Sequence, residues 1–539
     1  MHRAIIAMLA ATVSWPGAAM PAAGLTAQAA AESVAPVSSV PVLLAPVVHG
    51  SQSGRLIVFA KRVEPGAKPE DEIDTSPFEP TGTAIAASDA WSWSPGQVAL
   101  VDAGTDAFPA AFATLPPGTY RFQAVLDRND DYNYGGRGAG DLVSAVVEEA
   151  LPGPMPLLTV ATEVPGTTDA QRLMRGPEGE RAAMRAALAQ VRSVDFVSPA
   201  MTRFRGRPTG IHGWVALPPG YGTPGTTFPT VFSTGGFGSS LASAKFSAAS
   251  AMVKMAAGTR PPMIWVFLDQ STPTGTHEFA DSVNNGPWGQ AVTAEFIPWI
   301  EGKYAMDARP GSRFLTGHSS GGWAVLWLQV RYPKVFGGSW PTSPDPSDFH
   351  DFTNIDLYAA NANAYHDAAG KPLPLVRDKG KVIATLEQFA RIERTLGPVG
   401  GQLASFDWVF SPKGADGRPM PMFDRATGAV DPVVAAYWTE HYDIARLVAR
   451  EWPTLKPDLD GKIHLIVGTA DTFYLDGPAH RLQAVFDKLG AHESFTFVPG
   501  RTHFDLFVQG NDRSGMMNDI SWEMYHLARP ATTLQRKAG

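Results

Sequence analysis

A serine flanked by glycines stands where a short apolar run gives way to a helical one. Residues 317–321 read Gly-His-Ser-Ser-Gly, a Gly-x-Ser-x-Gly pattern centred on Ser319. The preceding segment, 312–316, is short and follows a Pro-Gly pair, which is typical of a strand. The following segment, 322–332, carries apolar residues at helical spacing and ends before Pro333. This order predicts a sharp strand-to-helix turn that presents Ser319 as a nucleophile.

The space available in such a turn explains its glycines. A Cβ atom at Gly317 or Gly321 would collide with the opposing backbone, so both positions require glycine. The serine between them is expected to have a strained backbone, which proteins retain mainly at functional sites. The first N–H groups of the new helix lie beside Ser319, where negative charge develops when the serine attacks a carbonyl carbon.

A serine nucleophile needs a base, and histidine commonly serves. Eight histidines follow Ser319. His503 follows a strand predicted at 495–498 and lies on a loop at the strand's carboxyl end. His464 lies inside an apolar strand, and the others fall in a long insertion, on predicted helices or just before the last strand. We therefore expect His503 to remove the proton from Ser319.

The base in turn needs a carboxylate that fixes its orientation. On a fold with this kind of turn, the acid stands between the serine and the histidine in the chain. Asp471 follows a strand predicted at 463–467, which places it at the same sheet edge as His503. Asp476 and Asp345 are alternatives, and Asp471 itself also suits a local turn cap.

Attack on a carbonyl group also requires two backbone N–H donors aimed at the oxygen that becomes negative. Ser320, the residue after the nucleophile, is expected to supply one donor. Residues 234–239 read Thr-Gly-Gly-Phe-Gly-Ser after a predicted strand, and their paired glycines let the backbone approach a substrate closely. Either Gly236 or Phe237 supplies the second donor, and the sequence leaves both open.

Alternating strands and helices must carry these residues. Strands are predicted at 213–217, 228–233, 263–268, 312–316, 336–340, 463–467 and 495–498. Such alternation predicts a mostly parallel sheet that is covered by helices on both faces.

Residues 346–460 interrupt this alternation over a length far beyond that of a loop. Helices are predicted within it at 382–396 and 433–448. Because the insertion follows a strand of the same sheet, we expect it to form a cap over the site, with a separate noncatalytic domain as the alternative. Its aromatic residues either fill the cap core or line a substrate pocket: Trp408, Phe410, Phe423 and Trp438.

The part of the chain before the alternation has a different pattern. Short strands with turn signals at 30–165 predict a small all-β sandwich of immunoglobulin type, and 166–195 predict a linker helix. Within the sandwich, residues Asp127–Asn133 alternate Asp and Asn as calcium loops do. The segment lacks the Gly and Glu that an EF-hand loop has at its sixth and twelfth positions, so an Asx-rich turn is favoured.

Composition, net charge and cysteine count exclude several classes of function. The chain has 539 residues, 44% hydrophobic and 18% charged, which indicates a folded protein of two or three domains. The formal net charge of −8 gives no general basic surface for nucleic acid. Cysteine is absent, which excludes disulfides, zinc–thiolate sites and a cysteine nucleophile.

The first 29 residues predict a signal peptide. His2-Arg3 is a short basic start, and 4–13 is an apolar run too short to span a bilayer. Residues 27–29 read Ala-Gln-Ala, which fits a small-x-small cleavage site. A secreted or periplasmic location is expected, and an uncleaved anchor is the alternative. No later segment predicts a membrane span.

Residues 196–510 resemble the putative esterase family of α/β-hydrolases, which includes esterase D, feruloyl, acetylxylan and enterochelin esterases. The similar pieces are Leu-Pro-Pro-Gly-Tyr at 217–221, the glycine pair at 235–236, Phe-Ile-Pro at 296–298, Gly-His-Ser-Ser-Gly-Gly at 317–322, Tyr-Pro-x-Val-Phe at 332–336, and His503. Two features differ from the family: Thr234 stands where many relatives have His, and compact members lack the long insertion. The resemblance implies an α/β-hydrolase domain over 196–539 and a triad of Ser319, Asp471 and His503.

These observations predict an exported serine hydrolase that cleaves carboxylic acid esters through an acyl-enzyme. The expected substrate is a small-molecule or carbohydrate-linked ester. No metal, organic cofactor, nucleic acid or membrane span is expected. Acyl transfer or peptide hydrolysis by the same triad is an alternative, and so is a noncatalytic binding protein built on a hydrolase scaffold.

Overall fold

The computed structural model describes residues 39–129 and 137–537. The predicted signal peptide and residues 130–133 of the Asp- and Asn-rich loop lie outside the described residues. Across the described part of the chain, no helix combines the length and hydropathy needed to cross a membrane.

Nine strands form a β-rich region at the start of the described chain: β1 (Ser39–Leu44), β2 (Gln52–Arg62), β3 (Thr83–Trp93), β4 (Val98–Asp102), β5 (Ala107–Phe108), β6 (Gly118–Asp127), β7 (Leu142–Ser144), β8 (Val147–Leu151) and β9 (Leu158–Glu163). Hydrogen bonds join them in the order β4-β1-β9-β7-β6-β2-β3-β5, with β8 beside β6. Alternating residues on one face, such as Leu56, Val58 and Phe122, form the region's own core. The opposite face carries Ile57 and Phe59, which are also fully buried.

The remaining elements follow in chain order: α1 (Asp169–Met174), α2 (Glu178–Leu188), β10 (Arg192–Val197), α3 (Pro199–Arg205), β11 (Gly210–Ala216), β12 (Thr230–Thr234), α4 (Leu241–Ala257), β13 (Ile264–Leu268), β14 (Ser271–Thr272), β15 (Gly275–Thr276), β16 (Asp281–Ser282), β17 (Gly286–Pro287), α5 (Trp288–Gln290), a π-helical turn (Ala291–Phe296), α6 (Ile297–Glu301), β18 (Arg313–His318), α7 (Ser320–Arg331), β19 (Gly338–Thr342), β20 (Pro374–Asp378), β21 (Lys381–Thr385), α8 (Leu386–Leu396), α9 (Gln402–Phe410), α10 (Pro432–His441), α11 (Ile444–Leu459), β22 (His464–Gly468), α12 (Asp476–Leu489), β23 (Ser494–Val498) and α13 (Gly515–Ala528).

Eight of these strands form the central sheet, in the order β10-β11-β13-β12-β18-β19-β22-β23. From β13 to β23 neighbouring strands are parallel, and β10 and β11 add an antiparallel edge. Thr234 pairs with Gly317, and His318 pairs with Thr342. The carboxyl ends of three neighbouring strands therefore meet at one edge, beside the residue that follows β18.

Helix α7 starts at this edge and is buried along nearly its whole length. It is apolar on every side, because one side packs on the sheet and the other packs under the insertion. The Trp323 ring lies 4.9 Å from the Phe410 ring, and the Trp327 ring lies 5.5 Å from the Tyr442 ring. The insertion thus shares a hydrophobic core with the helix that follows the nucleophile turn.

Two helices of the insertion differ from their predicted bounds. The helix predicted from residue 382 begins only at Leu386, because β-branched residues between 382 and 385 pair with β20 instead and Thr385 caps the helix. The helix predicted at 433–448 is two helices, α10 and α11. The Asp443 carboxylate accepts a hydrogen bond from the Arg446 N–H at 3.1 Å and so starts α11.

The outer face of the β-rich region packs on α8 of the insertion. Ile57 and Phe59 share one buried cluster with Ile392 and Leu396. Arg55 donates two hydrogen bonds, at 3.2 and 2.9 Å, to the Thr395 carbonyl near the end of α8. The β-rich region is therefore held against the insertion by apolar contact and by a cation at a helix C-terminus.

Candidate active site

The turn between β18 and α7 has the strained geometry that its sequence predicts. Ser319 has φ 60° and ψ −127°, a conformation that L-residues rarely adopt. A Cβ atom at Gly317 would lie 2.1 Å from the Gly321 carbonyl oxygen, and one at Gly321 would lie 2.4 Å from the Gly235 carbonyl oxygen. Only glycine fits at either position, so the turn presents the serine at the sheet edge.

His503 and Asp471 form a buried pair at the same edge. His503 Nδ1 lies 2.9 Å from Asp471 Oδ2, and because a carboxylate only accepts, Nδ1 carries the proton. Asp471 is fully buried and also accepts the Phe473 N–H at 2.9 Å. Burial alone would raise the pKa of Asp471, but the charge and hydrogen bond of His503 hold it below its usual value. The pair is therefore arranged to fix one tautomer of the imidazole.

His318, which the sequence analysis did not single out, connects the serine turn to the histidine loop. Its Nε2–H donates to the His503 carbonyl at 3.1 Å, and the two rings lie 4.4 Å apart. Burial, together with the charge of His503, lowers the pKa of His318 to about 3, so this ring is neutral. Its only sequence signal is its position before Ser319 in the Gly-x-Ser-x-Gly pattern.

Ser319 and His503 thus lie at one edge, although no hydrogen bond joins the Ser319 hydroxyl to the His503 ring in the described structure. Catalytic hydrogen bonds are often long in free enzymes and shorten when substrate binds. Both side chains are nearly buried, at 8% and 4% exposure, which limits competition from water.

Asp345, one of the alternative acids, accepts a hydrogen bond from Ser320 Oγ at 2.6 Å and does not pair with His503 in this way. Burial raises the pKa of Asp345 to about 6, although the Ser320 hydrogen bond and the charge of His503 oppose this. The residue is therefore a second buried carboxyl group near Ser319, in addition to Asp471.

Asp476, the other alternative acid, pairs with a cation from the insertion. Arg377 of β20 donates to Asp476 Oδ1 at 2.6 Å and to the Asp471 carbonyl at 2.8 Å. Its guanidinium also lies 4.2 Å from the centre of the Tyr474 ring. The insertion therefore supports the loop that carries Asp471, a role that no sequence pattern indicated.

The glycine-rich loop after β12 lies against the nucleophile. A Cβ atom at Gly236 would lie 2.8 Å from Ser319 Cβ and 3.0 Å from the His318 carbonyl oxygen. Gln270 Nε2 donates to the Gly235 carbonyl and so ties the loop to the segment after β13. Ser320 is the first residue of α7, where N–H groups have no acceptor within the helix. Gly236 and Ser320, the first residue of α7, therefore both lie next to Ser319.

The aromatic residues of the insertion that were pocket candidates are mostly core residues. Phe410, Phe423 and Trp438 are each 1% exposed and pack within the insertion. The cavity next to Asp345 is small, about 20 Å³, and is lined by Phe389, Phe406 and Phe473 among others. A larger cavity of about 570 Å³ is lined by residues around Arg260 and Trp265 and includes neither Ser319 nor His503.

One group of side chains has the spacing of metal ligands among the described residues. Ligand atoms of Asp348, His350 and Asp443 all lie within 4.8 Å of one another. Asp348 Oδ1 lies 2.8 Å from His350 Nδ1, and Asp443 accepts N–H groups from Phe349 and Arg446. The group is thus already satisfied by hydrogen bonds that cap a turn and α11.

Sequence comparison decides the family. A family model described as Esterase (Putative esterase) matches residues 208–486, a little over half of the chain. The chain belongs to this esterase family. As an esterase of the α/β-hydrolase fold, it is a carboxylic ester hydrolase of the serine type, preceded by a β-rich region. The matched residues include Ser319 and Asp471 and end before His503.

Solved structures of esterases have low sequence identity to this esterase. A ferulic acid esterase is 13% identical with a TM-score of 0.39, and covers 63% of this chain and 98% of its own. A ferulic acid esterase from Anaeromyces mucronatus is 13% identical with a TM-score of 0.34, covering 63% and 91%. An S-formylglutathione hydrolase from Agrobacterium tumefaciens is 13% identical with a TM-score of 0.35, covering 62% and 95%. Comparison with curated proteins gives no match.

Proposed function

We propose that this esterase cleaves its substrate through an acyl-enzyme formed on Ser319, with His503 as the base and Asp471 as the acid that orients it. The observation that carries the proposal is the buried His503–Asp471 pair at the sheet edge where a strained serine follows β18. Among the described residues, the other histidines whose pKa is lowered by burial form no ion pair with a carboxylate. His464, for example, stacks 4.3 Å from the Trp340 ring and has its pKa lowered by burial to about 4.

In the first half of the reaction, Ser319 Oγ attacks the acyl carbon while His503 Nε2 takes the serine proton. The carbonyl oxygen becomes negative and is stabilised by the N–H of Ser320 and by the N–H of Gly236 or Phe237. Asp471 keeps the proton of His503 on Nδ1, so that Nε2 is free to accept. His503 then gives its proton to the alcohol oxygen, the C–O bond breaks, and the alcohol leaves.

In the second half, water replaces the alcohol. His503 removes a proton from water, the resulting hydroxide attacks the acyl carbon, and the proton returns to Ser319 Oγ as the acid is released. Transfer of the acyl group to another alcohol would follow the same path. Product analysis in water with and without added alcohol separates hydrolysis from transfer.

The decisive test is Ser319→Ala. The variant is expected to fold, because it keeps the Cβ atom and removes only the hydroxyl, and to lose turnover by a factor on the order of 10⁶. A fluorophosphonate probe should add its mass to the native chain and not to the variant. Ser494→Ala, at an exposed serine on β23, is the control and should keep both labelling and activity. Labelling of Ser319→Ala would reject the proposal.

Export and domain organisation belong to the same proposal. We infer a signal peptide at 1–29, a β domain at 30–165, a linker at 166–195 and a catalytic domain at 196–539 with its insertion at 346–460. N-terminal sequencing of the protein recovered from outside the cytoplasm should then show a first residue near Ala30. A recovered chain that still begins at Met1 would contradict the proposal of a cleaved signal peptide.

A further inference from the structure

Two phenylalanine rings lie next to the His503 ring, and a third packs against both of them. The Phe473 and Phe504 rings lie 4.9 and 5.4 Å from the His503 ring, both edge-on. Phe78 completes the group, at 6.1 Å from Phe473 and 5.5 Å from Phe504. These separations are those of interacting aromatic pairs. We call Phe78, Phe473 and Phe504 the aromatic lip.

Much of the aromatic lip faces solvent. Phe504 is 66% exposed and Phe78 is 42% exposed. Exposed apolar patches on a folded protein commonly mark sites that bind a ligand or a partner. A group of exposed aromatic rings next to His503 therefore suggests a binding site.

Phe78 comes from the β-rich region, and the loop that carries it is anchored. Ile73, Thr75 and Pro77 are buried, and the Ile73 N–H donates to Gln123 Oε1 of β6 at 2.8 Å. The Glu79 N–H donates to the Ser76 carbonyl at 3.1 Å, which closes a turn around Phe78. The ring is thus held at the tip of a fixed loop.

The role proposed for His503 indicates which part of a substrate would lie at the aromatic lip. His503 must hand its proton to the oxygen of the departing alcohol, so the alcohol lies beside His503. The acyl oxygen, by contrast, must point to the donors at residues 236–237 and 320. Rings that contact His503 therefore border the alcohol side of the ester.

We propose that the aromatic lip is a binding subsite for an apolar, preferably aromatic, group on the departing alcohol, and that the β-rich region completes the site through Phe78. The proposal rests on the proposed triad, because the position of the alcohol is deduced from the role of His503. It makes Phe78 a specificity-determining residue and not a catalytic one.

The test varies the alcohol while the acyl group stays the same. Benzyl acetate and ethyl acetate give the same acetyl-enzyme, and benzyl alcohol and ethanol are similar leaving groups, so the ratio of the two kcat/KM values reports on the alcohol subsite. Phe78→Ala should lower kcat/KM for benzyl acetate by about fivefold to tenfold, the value of one lost aromatic contact, and change it less than about twofold for ethyl acetate. Phe78→Leu should fall between.

Controls keep the test specific. Trp91→Ala removes a ring of the same region that is 77% exposed and makes no ring contact with Phe473 or Phe504, and it should leave the ratio unchanged. Ethyl phenylacetate against ethyl acetate varies the acyl side and should be unaffected by Phe78→Ala. An unchanged benzyl-to-ethyl ratio, or a change confined to the acyl series, would overturn the proposal. Fluorophosphonate labelling of the native chain and of Ser319→Ala tests the triad separately, so failure of the triad and failure of the subsite give different results.

Discussion

At the residue scale, the site holds more buried carboxyl groups than the one acid that the proposed triad requires. Asp345 lies beside Ser320, and both His503 and Asp471 act on it electrostatically. Glu278 is fully buried nearby, and burial together with Asp345 raises its pKa well above the usual range, which leaves it neutral. An ionised Asp345 is therefore a source of instability that the fold tolerates at its active site.

The stability of the protein should depend on the ionisation of Asp345. Its pKa of about 6 in the folded chain lies above the 3.8 of a free aspartate, so the folded state holds the proton more tightly. The free energy of unfolding therefore falls as pH rises from the pKa of the unfolded chain, 3.8, to that of the folded chain, about 6. The loss is on the order of 3 kcal/mol. Asp345→Asn cannot ionise, and its amide oxygen still accepts the Ser320 hydroxyl. We expect it to raise Tm at pH 8 and to do so much less near pH 4.

The matched control for that prediction is Asp356→Asn, because Asp356 is exposed. It should shift Tm equally at both pH values or not at all. Calorimetric scans of the two variants and the native chain at pH 4 and pH 8 make the comparison. A gain for Asp345→Asn that is the same at both pH values would mean that the carboxyl group is not the cause.

At the element scale, the strands of the sheet and the presence of an insertion were predictable, but the contacts that the insertion makes were not. Strands of the sheet are apolar runs bounded by turn residues, and β18, β22 and β23 lie within two residues of their predicted bounds. The contact of Arg377 with the loop after β22 joins residues about a hundred positions apart. No local period encodes such a contact, so the sequence predicts Asp471 as the acid but not the contact that holds its loop.

Strand β20 should matter for chemistry as well as for substrate choice. Arg377→Met keeps the apolar stem and removes both hydrogen bonds to the loop of Asp471 and Asp476. A shift of that loop misplaces the acid behind His503, so we expect kcat/KM to fall about tenfold to a hundredfold, even for small esters. The rate of fluorophosphonate labelling should fall with it.

Arg394→Met is the control for Arg377. Arg394 lies on α8 and pairs with Asp106 at 3.6 Å, with both side chains about half exposed. Exposed ion pairs of this kind contribute little, so activity should change less than about twofold. If Arg377→Met behaved like this control, the insertion would influence substrate choice alone.

At the scale of the whole molecule, the β-rich region is tied to the catalytic part through α8. The sequence alone favours a separable β-rich region, because the region contains no candidate nucleophile and precedes a predicted linker helix. The structure places its outer face on Ile392 and Leu396 and its Phe78 at the aromatic lip. Residues of the linker also pack inward, since Leu188 and Val191 share a buried cluster with α4. The sequence shows that Ile57 and Phe59 are apolar, but it does not show that they pack against Ile392 and Leu396.

A shortened chain that begins at Thr168 tests this connection. Removing the β-rich region uncovers Ile392 and Leu396, which are 0% and 5% exposed, and each loses roughly 1.5–3 kcal/mol of burial. We expect a lower Tm and association between copies, measured by calorimetry and light scattering. The same chain with Ile392→Gln and Leu396→Gln should regain solubility, because the uncovered surface is then polar. A shortened chain that stays monomeric with the Tm of the full chain would contradict the coupling.

The shortened chain with Ile392→Gln and Leu396→Gln also separates the two roles of the β-rich region, which are to cover α8 and to supply Phe78. Its Ser319, His503 and Asp471 are intact, so it should hydrolyse ethyl acetate at a rate close to that of the full chain. It lacks Phe78, so its preference for benzyl over ethyl acetate should fall about fivefold to tenfold, as in Phe78→Ala of the full chain. Equal losses for both esters would mean that the region supports the catalytic machinery itself and not only the alcohol side of the site.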